Sequence, residues 1–347
     1  MPTTHDVPVS VLAGDIGGTH TRLARLRVAG RKVEILAQET YPSQDYAGLD
    51  EIVAAFARIH PLNVDHACFG VAGPVVNNVA ETTNLPWRVD ARALAVSFQL
   101  KTTTLINDLE ANAWGIPALD DVDFHTLHSG APQADGHRVV IAAGTGLGEA
   151  GLFWDGHQHH PFASEGGHAS FSPVNELEAA LLIHLIARFG HVSWERVLSG
   201  PGLVNLHVFL LAHRRSSMPP WLDDQMRTGD PAAAIAQAAM LERDATCIEA
   251  LALFVRLYGA EAGNLALKLM ATGGVYLGGG IAPRILPTLT SGAFMAAFLG
   301  KGRMRGLLEA IPVRVILNEQ TALLGAALRA ANDARNTFFT QKKGESS

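Results

Sequence analysis

The chain has 347 residues, 48% of them hydrophobic and 17% charged, with 34 glycines and 17 prolines. This composition excludes a disordered or collagen-like chain and predicts a globular protein of about two domains, each of ~150 residues. The 27 basic and 33 acidic side chains give a net charge of −6 and form no basic stripe, which argues against a nucleic-acid partner. Cys68 and Cys247 are too few for a disulfide framework or a Cys-rich zinc site and are typical of a reducing compartment. Because there is also no secretory signal and no apolar stretch of the ~20 residues that span a membrane, we expect a cytoplasmic protein with no membrane partner.

The first predicted element is a β-hairpin around a glycine-rich turn. Residues 7–13 are apolar, and residues 21–28 alternate apolar and basic side chains, which is the period of a strand with one buried face. A Rossmann dinucleotide motif needs a helix after its glycines, so this segment predicts a hairpin and not a dinucleotide site. The turn region comprises Gly14, Asp15, Ile16, Gly17, Gly18 and Thr19.

Much the same pattern recurs later in the chain. Residues 139–143 are apolar, lead into Gly144, Thr145 and Gly146, and precede a second apolar stretch. A third apolar run ends at Gly279 and Gly280. Two such hairpins suggest an internal duplication.

The glycine turns have a structural and a functional interpretation. A single glycine turn of this kind is a tight structural turn at least as often as it is a phosphate-binding turn. Three together favour a site at which backbone N–H groups bind nucleotide phosphates. The P-loop pattern is absent from the sequence. Asp15 is then suited to lie beside Mg²⁺, since carboxylate oxygens are the ligands that this ion prefers.

Apolar residues at helical spacing cover residues 175–189 and 244–270, and less regularly 49–59 and 318–331. Strands that alternate with such helices predict an α/β architecture.

Asn107 and Asp108 follow the β-branched segment 102–106, at the end of a predicted strand. Asp108 is either a helix N-cap or a general base that takes a proton from an attacking hydroxyl.

Two later segments carry further polar side chains. Glu165 and His168 are separated by two glycines, and this spacing predicts a polar clamp on one small ligand. Glu195 either pairs with Arg196 at the surface or accepts hydrogen bonds from vicinal sugar hydroxyls, and the residues alone do not separate these alternatives. Ser193 is predicted to cap one helical turn, which the Gly-Pro-Gly of residues 200–202 interrupts.

Histidines 157, 159 and 160 raise the question of a metal site. No His-Glu-x-x-His pattern or cysteine partner accompanies His157, His159 and His160, so a polar loop is favoured and no metal site is predicted here.

Taken in order, these segments resemble the bacterial ATP-dependent glucokinases over nearly the whole chain. The resemblance implies the actin-like hexokinase fold, a duplicated ribonuclease-H-like α/β fold of two domains with an active-site cleft between them. It gives a small domain of residues 1–118 and 312–335, a large domain of residues 119–311, and a flexible tail of residues 336–347. Since the family is often homodimeric, we expect a homodimer. The segments are GDIGGTHTRLA, TNLPW, LINDLEANAWGI, AAGTGLGEAGL, SEGGH, VSWERVLSGPGLVNL, GGVYLGGGI and ALLGAA.

Carried over position by position, the resemblance implies a role for each candidate. Asp108 corresponds to the catalytic base on the sugar 6-hydroxyl, residues 14–19 and 144–146 to two phosphate loops, and Gly279 and Gly280 to the turn beneath the adenosine. The implied reaction transfers the γ-phosphoryl group of MgATP to glucose, giving glucose 6-phosphate and ADP. The implied sugar ligands are Asn107, Glu165, His168, Glu195 and Asn84.

Two other functions compete with this hypothesis. A sugar-sensing regulator on the same fold has no need of a base at position 108, and a partner-driven ATPase related to actin or chaperones has no evident use for the carboxylates at 165 and 195. The sequence leaves open how strictly glucose is preferred over other hexoses, and whether the donor is ATP, ADP or polyphosphate.

Overall fold

The computed structural model describes residues 7–82, 85–132 and 134–344. The chain divides into two compact units, unit 1 from residues 1–121 and 318–347 and unit 2 from residues 122–317. The sequence analysis placed residues 312–317 in the small domain. They lie in unit 2 because the strand Val313–Ile316 pairs within its sheet. A strand of four residues is too short for its apolar pattern to show which sheet it joins.

The described strands and helices follow one another along both units. The strands are β1 Val9–Ile16, β2 His20–Ala29, β3 Lys32–Pro42, β4 His66–Val71, β5 Val75–Val76, β6 Val79–Glu81, β7 Arg88–Asp90, β8 Thr102–Asn107, β9 Phe124–His128, β10 Arg138–Ala143, β11 Leu147–Trp154, β12 His159–Ser164, β13 Gly274–Gly278 and β14 Val313–Ile316. The α-helices are α1 Leu49–Ile59, α2 Ala91–Phe98, α3 Asp108–Gly115, α4 Glu176–Phe189, α5 Gly200–Arg214, α6 Pro220–Thr228, α7 Pro231–Met240, α8 Ala245–Lys268, α9 Ile281–Arg284, α10 Leu286–Leu289, α11 Ala293–Leu299, α12 Arg305–Glu309 and α13 Thr321–Gly344.

The main sheet of unit 1 has the strand order β3-β2-β1-β4-β8. Strand β1 runs antiparallel to β2 and parallel to β4, and β4 runs parallel to β8. One face packs on α1 through side chains such as Ile52 and Phe56. The other face is covered by α13, whose Leu323 and Ala327 are fully buried. A β-carbon at Gly325 would collide with the Ala111 carbonyl oxygen, so α13 lies against the backbone of α3.

The sheet of unit 2 has the strand order β12-β11-β10-β13-β14-β9. Buried side chains of β10 and β13 form one apolar cluster with α8, in which Ile141, Leu277 and Phe254 are each fully buried. Hairpin β10–β11 is antiparallel, whereas β10 with β13 and β13 with β14 are parallel. The order and directions of β12-β11-β10-β13-β14 thus match those of β3-β2-β1-β4-β8, which confirms the predicted internal duplication.

Two helix predictions differ from the structure. The Gly-Pro-Gly segment, predicted as a break, begins α5, because proline is well tolerated in a first helical turn. Helix α13 continues to Gly344, beyond residue 336 where the sequence analysis began a flexible tail. The apolar spacing ends there, but glutamine and lysine are good helix formers and no proline interrupts them. Among the described residues, no helix is both long and apolar enough to cross a membrane.

Candidate active-site residues

The glycine turn of unit 1 connects β1 and β2 at residues 17–19. The Gly17 N–H donates to the His20 carbonyl at 3.0 Å and closes the turn. Ser43, which is fully buried, donates its hydroxyl to the Gly17 carbonyl at 2.7 Å and its N–H to the Thr19 carbonyl at 2.9 Å. Sequence reasoning missed Ser43, since a serine at the end of a strand carries no distinguishing pattern.

Asp15 is the penultimate residue of β1, beside this turn. Its Oδ2 lies 3.9 Å from Nη1 of Arg22 on β2, and both side chains are partly exposed. Burial raises the pKa of the Asp15 carboxyl group, and the Arg22 guanidinium acts in the opposite direction. The same Arg22 donates to the Glu319 carbonyl at 3.0 Å, close to the start of α13.

Asn107 and Asp108 lie at the junction of β8 and α3. The buried Asn107 occupies the N-cap, its Oδ1 accepting from the Leu109 N–H at 2.8 Å and its Nδ2 donating to the Gly73 carbonyl at 3.1 Å. Asp108 is half-buried in the first helical turn, and its Oδ1 also accepts from the Leu109 N–H, at 2.9 Å. The hypothesis that Asp108 is the N-cap is therefore wrong. Asn84 lies outside the described residues.

Two glycine turns of unit 2 lie at one edge of its sheet, because their strands β10 and β13 are neighbours. The Gly144 N–H donates to the Gly146 carbonyl at 2.8 Å, and the Gly200 N–H at the start of α5 donates to the Gly144 carbonyl at 2.8 Å. Gly279 has a φ of +77°, and a β-carbon there would lie 2.5 Å from the Ala143 carbonyl oxygen. Gly280 precedes α9. Glycine-rich backbone from the ends of β10 and β13 and from the start of α5 is thus concentrated at this edge.

Glu165 and His168 belong to a turn that we call the 165–168 turn. Their side chains are more than half exposed, and Oε2 of Glu165 lies 3.8 Å from Nε2 of His168. Directly beside it, a second helical turn, Trp194–Arg196, is held by the Trp194 N–H, which donates to the Ala169 carbonyl at 3.0 Å. The two predicted polar segments are therefore neighbours in unit 2.

Glu195, in this second turn, contacts the glycine turn of the same unit. Its Oε2 accepts from the Leu147 N–H at 3.0 Å, and a β-carbon at Gly146 would lie 2.5 Å from the same oxygen. Arg196 instead stacks on the Phe189 ring, 4.3 Å from its centroid. The alternative in which Glu195 only pairs with Arg196 at the surface is therefore wrong.

The glycines of the 165–168 turn are required by close packing on β11. A β-carbon at Gly166 would collide with Oε2 of Glu149, and one at Gly167 with the Leu147 carbonyl oxygen. The sequence predicted only a spacing of two glycines between the residues of a polar clamp. Sequence reasoning also missed Glu149, a charged residue whose side chain faces inward from a strand.

The helical turn at Ser193 is not capped by its side chain. The cap of the following helix is Ser199, whose hydroxyl accepts from the Gly202 N–H at 3.0 Å. This bond fixes the start of α5 next to the glycine turn at 144–146.

The predicted polar histidine loop is the connection between β11 and β12. Asp155 closes it by accepting from the N–H groups of His157 and Gln158, and its Oδ2 lies 2.6 Å from Nε2 of His160. These bonds hold the pKa of the Asp155 carboxyl group well below its usual range.

Elsewhere in the described part of the chain, possible metal ligands gather at His207, Asp244 and Cys247. Asp244 caps α8 and accepts from the Cys247 N–H at 2.8 Å, and the positive end of a helix dipole disfavours a cation there.

The chain was compared with known proteins. The family model described as Glucokinase matches residues 12–333. A glucokinase from Nostoc sp. is 44% identical over 338 residues, covering 92% of this chain and 98% of that protein. The chain belongs to the glucokinase family. It is an ATP-dependent sugar kinase, and these relatives give no support to the regulator alternative.

Solved structures agree with this membership. A crystal structure of glucokinase from an Antarctic psychrotroph is 32% identical, with a TM-score of 0.82, and covers 94% of this chain and 99% of that one. The glucokinase of Balamuthia mandrillaris, in complex with glucose, is 24% identical and has a TM-score of 0.74, with 94% of each chain covered. At that identity the second structure supports the fold alone, which is the actin-like α/β fold of sugar kinases.

Proposed function

We propose that this glucokinase-family chain transfers the γ-phosphoryl group of MgATP to the 6-hydroxyl of glucose, with Asp108 as the general base. The assignment rests on the different positions of Asn107 and Asp108 at the start of α3. Asn107 occupies the N-cap, and the half-buried carboxylate of Asp108 follows it in the first helical turn, where its Oδ1 shares the Leu109 N–H. A carboxylate held here, beside the buried Asn107 amide, supports the role of base.

The chemistry of the transfer fits a carboxylate at a helix N-terminus. The sugar hydroxyl loses its proton as it attacks the phosphorus atom, and a positioned carboxylate accepts that proton in the transition state. The positive end of the α3 dipole favours the ionised form of a side chain in the first turn. Asp108 therefore supplies a base, and the adjacent buried Asn107 supplies an amide for the sugar.

The remaining proposed sugar ligands lie in unit 2, where Glu165 and His168 are exposed and Glu195 is half-buried. Carboxylates of Glu165 and Glu195 accept hydrogen bonds from pairs of vicinal hydroxyls, and the imidazole of His168 adds a further polar contact. An analogue that lacks a hydroxyl would leave one of these groups without its partner, which is the usual source of discrimination among sugars. The assignment of Asn84 to the sugar stays a prediction.

The nucleotide is assigned to the glycine turns at residues 14–19, 144–146 and 279–280. Turns without β-carbons let backbone approach phosphate oxygens closely, and at Gly280, where a β-carbon would meet nothing within 4 Å, there is room for the adenosine. Mg²⁺ bound with ATP would neutralise phosphate charge. The Asp15 carboxylate has the oxygen ligands that fit this ion, and its Arg22 partner is distant enough, at 3.9 Å, to leave them accessible.

The test is ADP formation by the purified chain with MgATP, with and without glucose and with a panel of other hexoses. We expect turnover that depends on glucose, with glucose 6-phosphate formed in equal amount. Hexose-independent hydrolysis would support a partner-driven ATPase instead. Glucose binding without turnover would point to a different phosphoryl donor, for which ADP and polyphosphate are the next substrates to supply.

We also propose a cytoplasmic homodimer. ATP is the proposed donor, and the two buried, unlinked cysteines Cys68 and Cys247 suit a reducing compartment. Sedimentation velocity measures the mass in solution, and a monomer at all concentrations would contradict the dimer.

A further inference from the structure

Glu149 is an acid that the repeated hairpin does not require. It lies on β11 with 1% of its surface exposed, two residues after Leu147, which pairs with the last residue of β10. In unit 1 the residue two positions after the corresponding pair, Ile16 with Thr21, is Leu23, which is fully buried among apolar side chains. The same frame thus accommodates a leucine where unit 2 has a carboxyl group.

The carboxyl group of Glu149 lies directly beneath the 165–168 turn. Its Oε2 fills the space that a β-carbon at Gly166 would need, so the turn and the acid are in van der Waals contact. Strand β12, which leads into the turn, pairs with β11 at this point, with Glu149 opposite Ser164. Because the side chains of Glu165 and His168 are exposed while β11 is buried, the turn is the neighbour that can move.

Helix α8 carries a second buried acid, Glu261, whose charge acts on Glu149. Glu261 is fully buried and accepts hydrogen bonds from Asn264 Nδ2 at 2.7 Å and Lys268 Nζ at 3.1 Å. The phenol of Tyr258 also faces Glu149, and its hydroxyl donates to the Ile141 carbonyl at 3.1 Å.

The nearby lysines have other hydrogen-bond partners than Glu149. Lys301 donates to Asn264 Oδ1 at 2.6 Å and to the Ala260 carbonyl at 2.9 Å, and burial lowers its pKa. By contrast, Oε1 of Glu149 is buried and has no hydrogen-bond partner among the described residues. An ionised carboxylate with an unsatisfied oxygen next to another acid is costly, so the geometry favours the protonated form of Glu149.

We propose that Glu149 is a positioning residue for the sugar: protonated, it supports the 165–168 turn in its binding conformation, and ionised, it displaces that turn. The proposal rests on the assignment of Glu165 and His168 to the sugar. Ionisation demands water or donors around both oxygens, and these are reached only if the turn above lifts from β11. Glu149 contacts neither substrate in this scheme and acts through the turn.

The pKa of Glu149 lies in a pH range in which glucose binding can be measured. Burial, and after it the charge of Glu261, raise the pKa of Glu149 from 4.5 to about 7, with Lys268 acting in the opposite direction. The sugar affinity should therefore be highest below pH 7 and weaken above it. The same turn also carries the imidazole of His168, so a pH profile of the wild type alone does not identify the group.

Calorimetric titration of glucose into the full chain between pH 6 and pH 8.5 tests the proposal without turnover. If the ionised form does not bind, the wild-type dissociation constant rises roughly tenfold between pH 6.5 and pH 8. Glu149→Gln, which cannot ionise, should bind glucose like the wild type at pH 6 and lose most of this rise. Glu149→Ala should bind glucose more weakly at every pH. The affinity for a non-hydrolysable ATP analogue should be unchanged in all three proteins.

A second variant separates positioning from packing. Glu261→Gln removes the charge that raises the pKa of Glu149, so the weakening of glucose binding should begin at a lower pH than in the wild type. If Glu149 had only a packing role, Glu261→Gln would not change the pH at which glucose binding is half weakened. The variant also decides the matter if Glu149→Ala fails to fold, which circular dichroism shows directly.

The outcomes are distinguishable. Wild-type glucose binding that is equally pH-dependent in Glu149→Gln would overturn the proposal and leave the kinase function intact. The same holds if Glu149→Ala binds glucose normally, or if Glu261→Gln leaves the midpoint where it was. Absence of glucose binding by the wild type at pH 6 would instead overturn the proposed function, and this inference with it.

Discussion

Strands β3-β2-β1-β4-β8 of unit 1 and β12-β11-β10-β13-β14 of unit 2 form a repeated frame. The glycine hairpins of the two copies differ in the acid that each carries. In unit 1 the residue before the last of β1 is Asp15, and the matching residue of β10 is Ala142. On the second strand the order is reversed, with Leu23 in unit 1 and Glu149 in unit 2. The frame thus supplies the backbone turn in both copies, whereas the acids are specific to one copy.

The segments inserted into the frame differ more. In unit 1 the connection from β3 to β4 contains α1, whereas in unit 2 the corresponding connection from β12 to β13 extends over residues 165–273 and contains α4 to α8. Glu165, His168 and Glu195 all lie in this insertion. In the proposed assignment, the glycine turns of the repeated frame serve the phosphates, and the inserted turns add sugar ligands to Asn107 of the frame.

The largest expected effect concerns the residue that follows the last strand of each repeated sheet, β8 in unit 1 and β14 in unit 2. Strand β8 is followed by Asp108, whereas β14 is followed by Leu317, so only one copy offers a base. Asp108→Asn keeps the shape of the side chain and the Asn107 cap but cannot accept the proton. We expect kcat to fall by about two to four orders of magnitude, with glucose and ATP affinity little changed. A steady-state assay combined with calorimetry checks this, and near-normal turnover would remove Asp108 from the role of base.

A smaller effect tests whether the frame serves the nucleotide. Gly279→Ala places a β-carbon against the Ala143 carbonyl at a φ of +77°, which strains the turn by about 1–3 kcal/mol. We expect the KM for ATP to rise by roughly tenfold or more, with glucose affinity in the absence of nucleotide unchanged. Gly306→Ala, where a β-carbon meets nothing within 4 Å, is the matched control. Equal effects on ATP and glucose would contradict the proposal that this glycine turn of the frame serves the nucleotide.

A third effect concerns stability and the acid that only unit 2 carries. The unfolded chain releases the Glu149 proton near pH 4.5, whereas the folded chain keeps it up to about pH 7. The free energy of unfolding of the wild type should therefore fall as the pH rises through this interval, by about 3 kcal/mol at most. Glu149→Gln lacks this contribution, so its Tm should gain on that of the wild type between pH 5 and pH 7.5. Parallel Tm curves would show that Glu149 titrates normally.

Much of the frame could be predicted because it is encoded locally. A glycine turn between an apolar run and an alternating run is a hairpin wherever it occurs, and its repetition at residues 144–146 revealed the duplication. Asn107 and Asp108 were found for a similar reason, since polar residues that directly follow a strand lie at a sheet edge. The α/β class and the family followed from these segments.

The rest depends on contacts that are distant in sequence. Glu149 lies in an alternating strand, where a carboxylate normally points to solvent, and only the arrival of Gly166 and α8 buries it. The bond from the Leu147 N–H to Glu195 likewise joins segments that no local pattern connects. Sequence reasoning therefore identified the polar residues but not the interactions that hold them.

The position of α13 in the chain has a consequence for how the protein is made. Unit 2 is contiguous in sequence, but one face of the unit 1 sheet, including Val11 and Cys68, is covered by a helix that is synthesised after the whole of unit 2. On the ribosome, unit 2 has its whole sequence available first, while the apolar face of unit 1 stays open until residues near 331 emerge. Nascent chains stalled before α13 should accordingly expose this surface to chaperones, although they already contain every proposed substrate ligand.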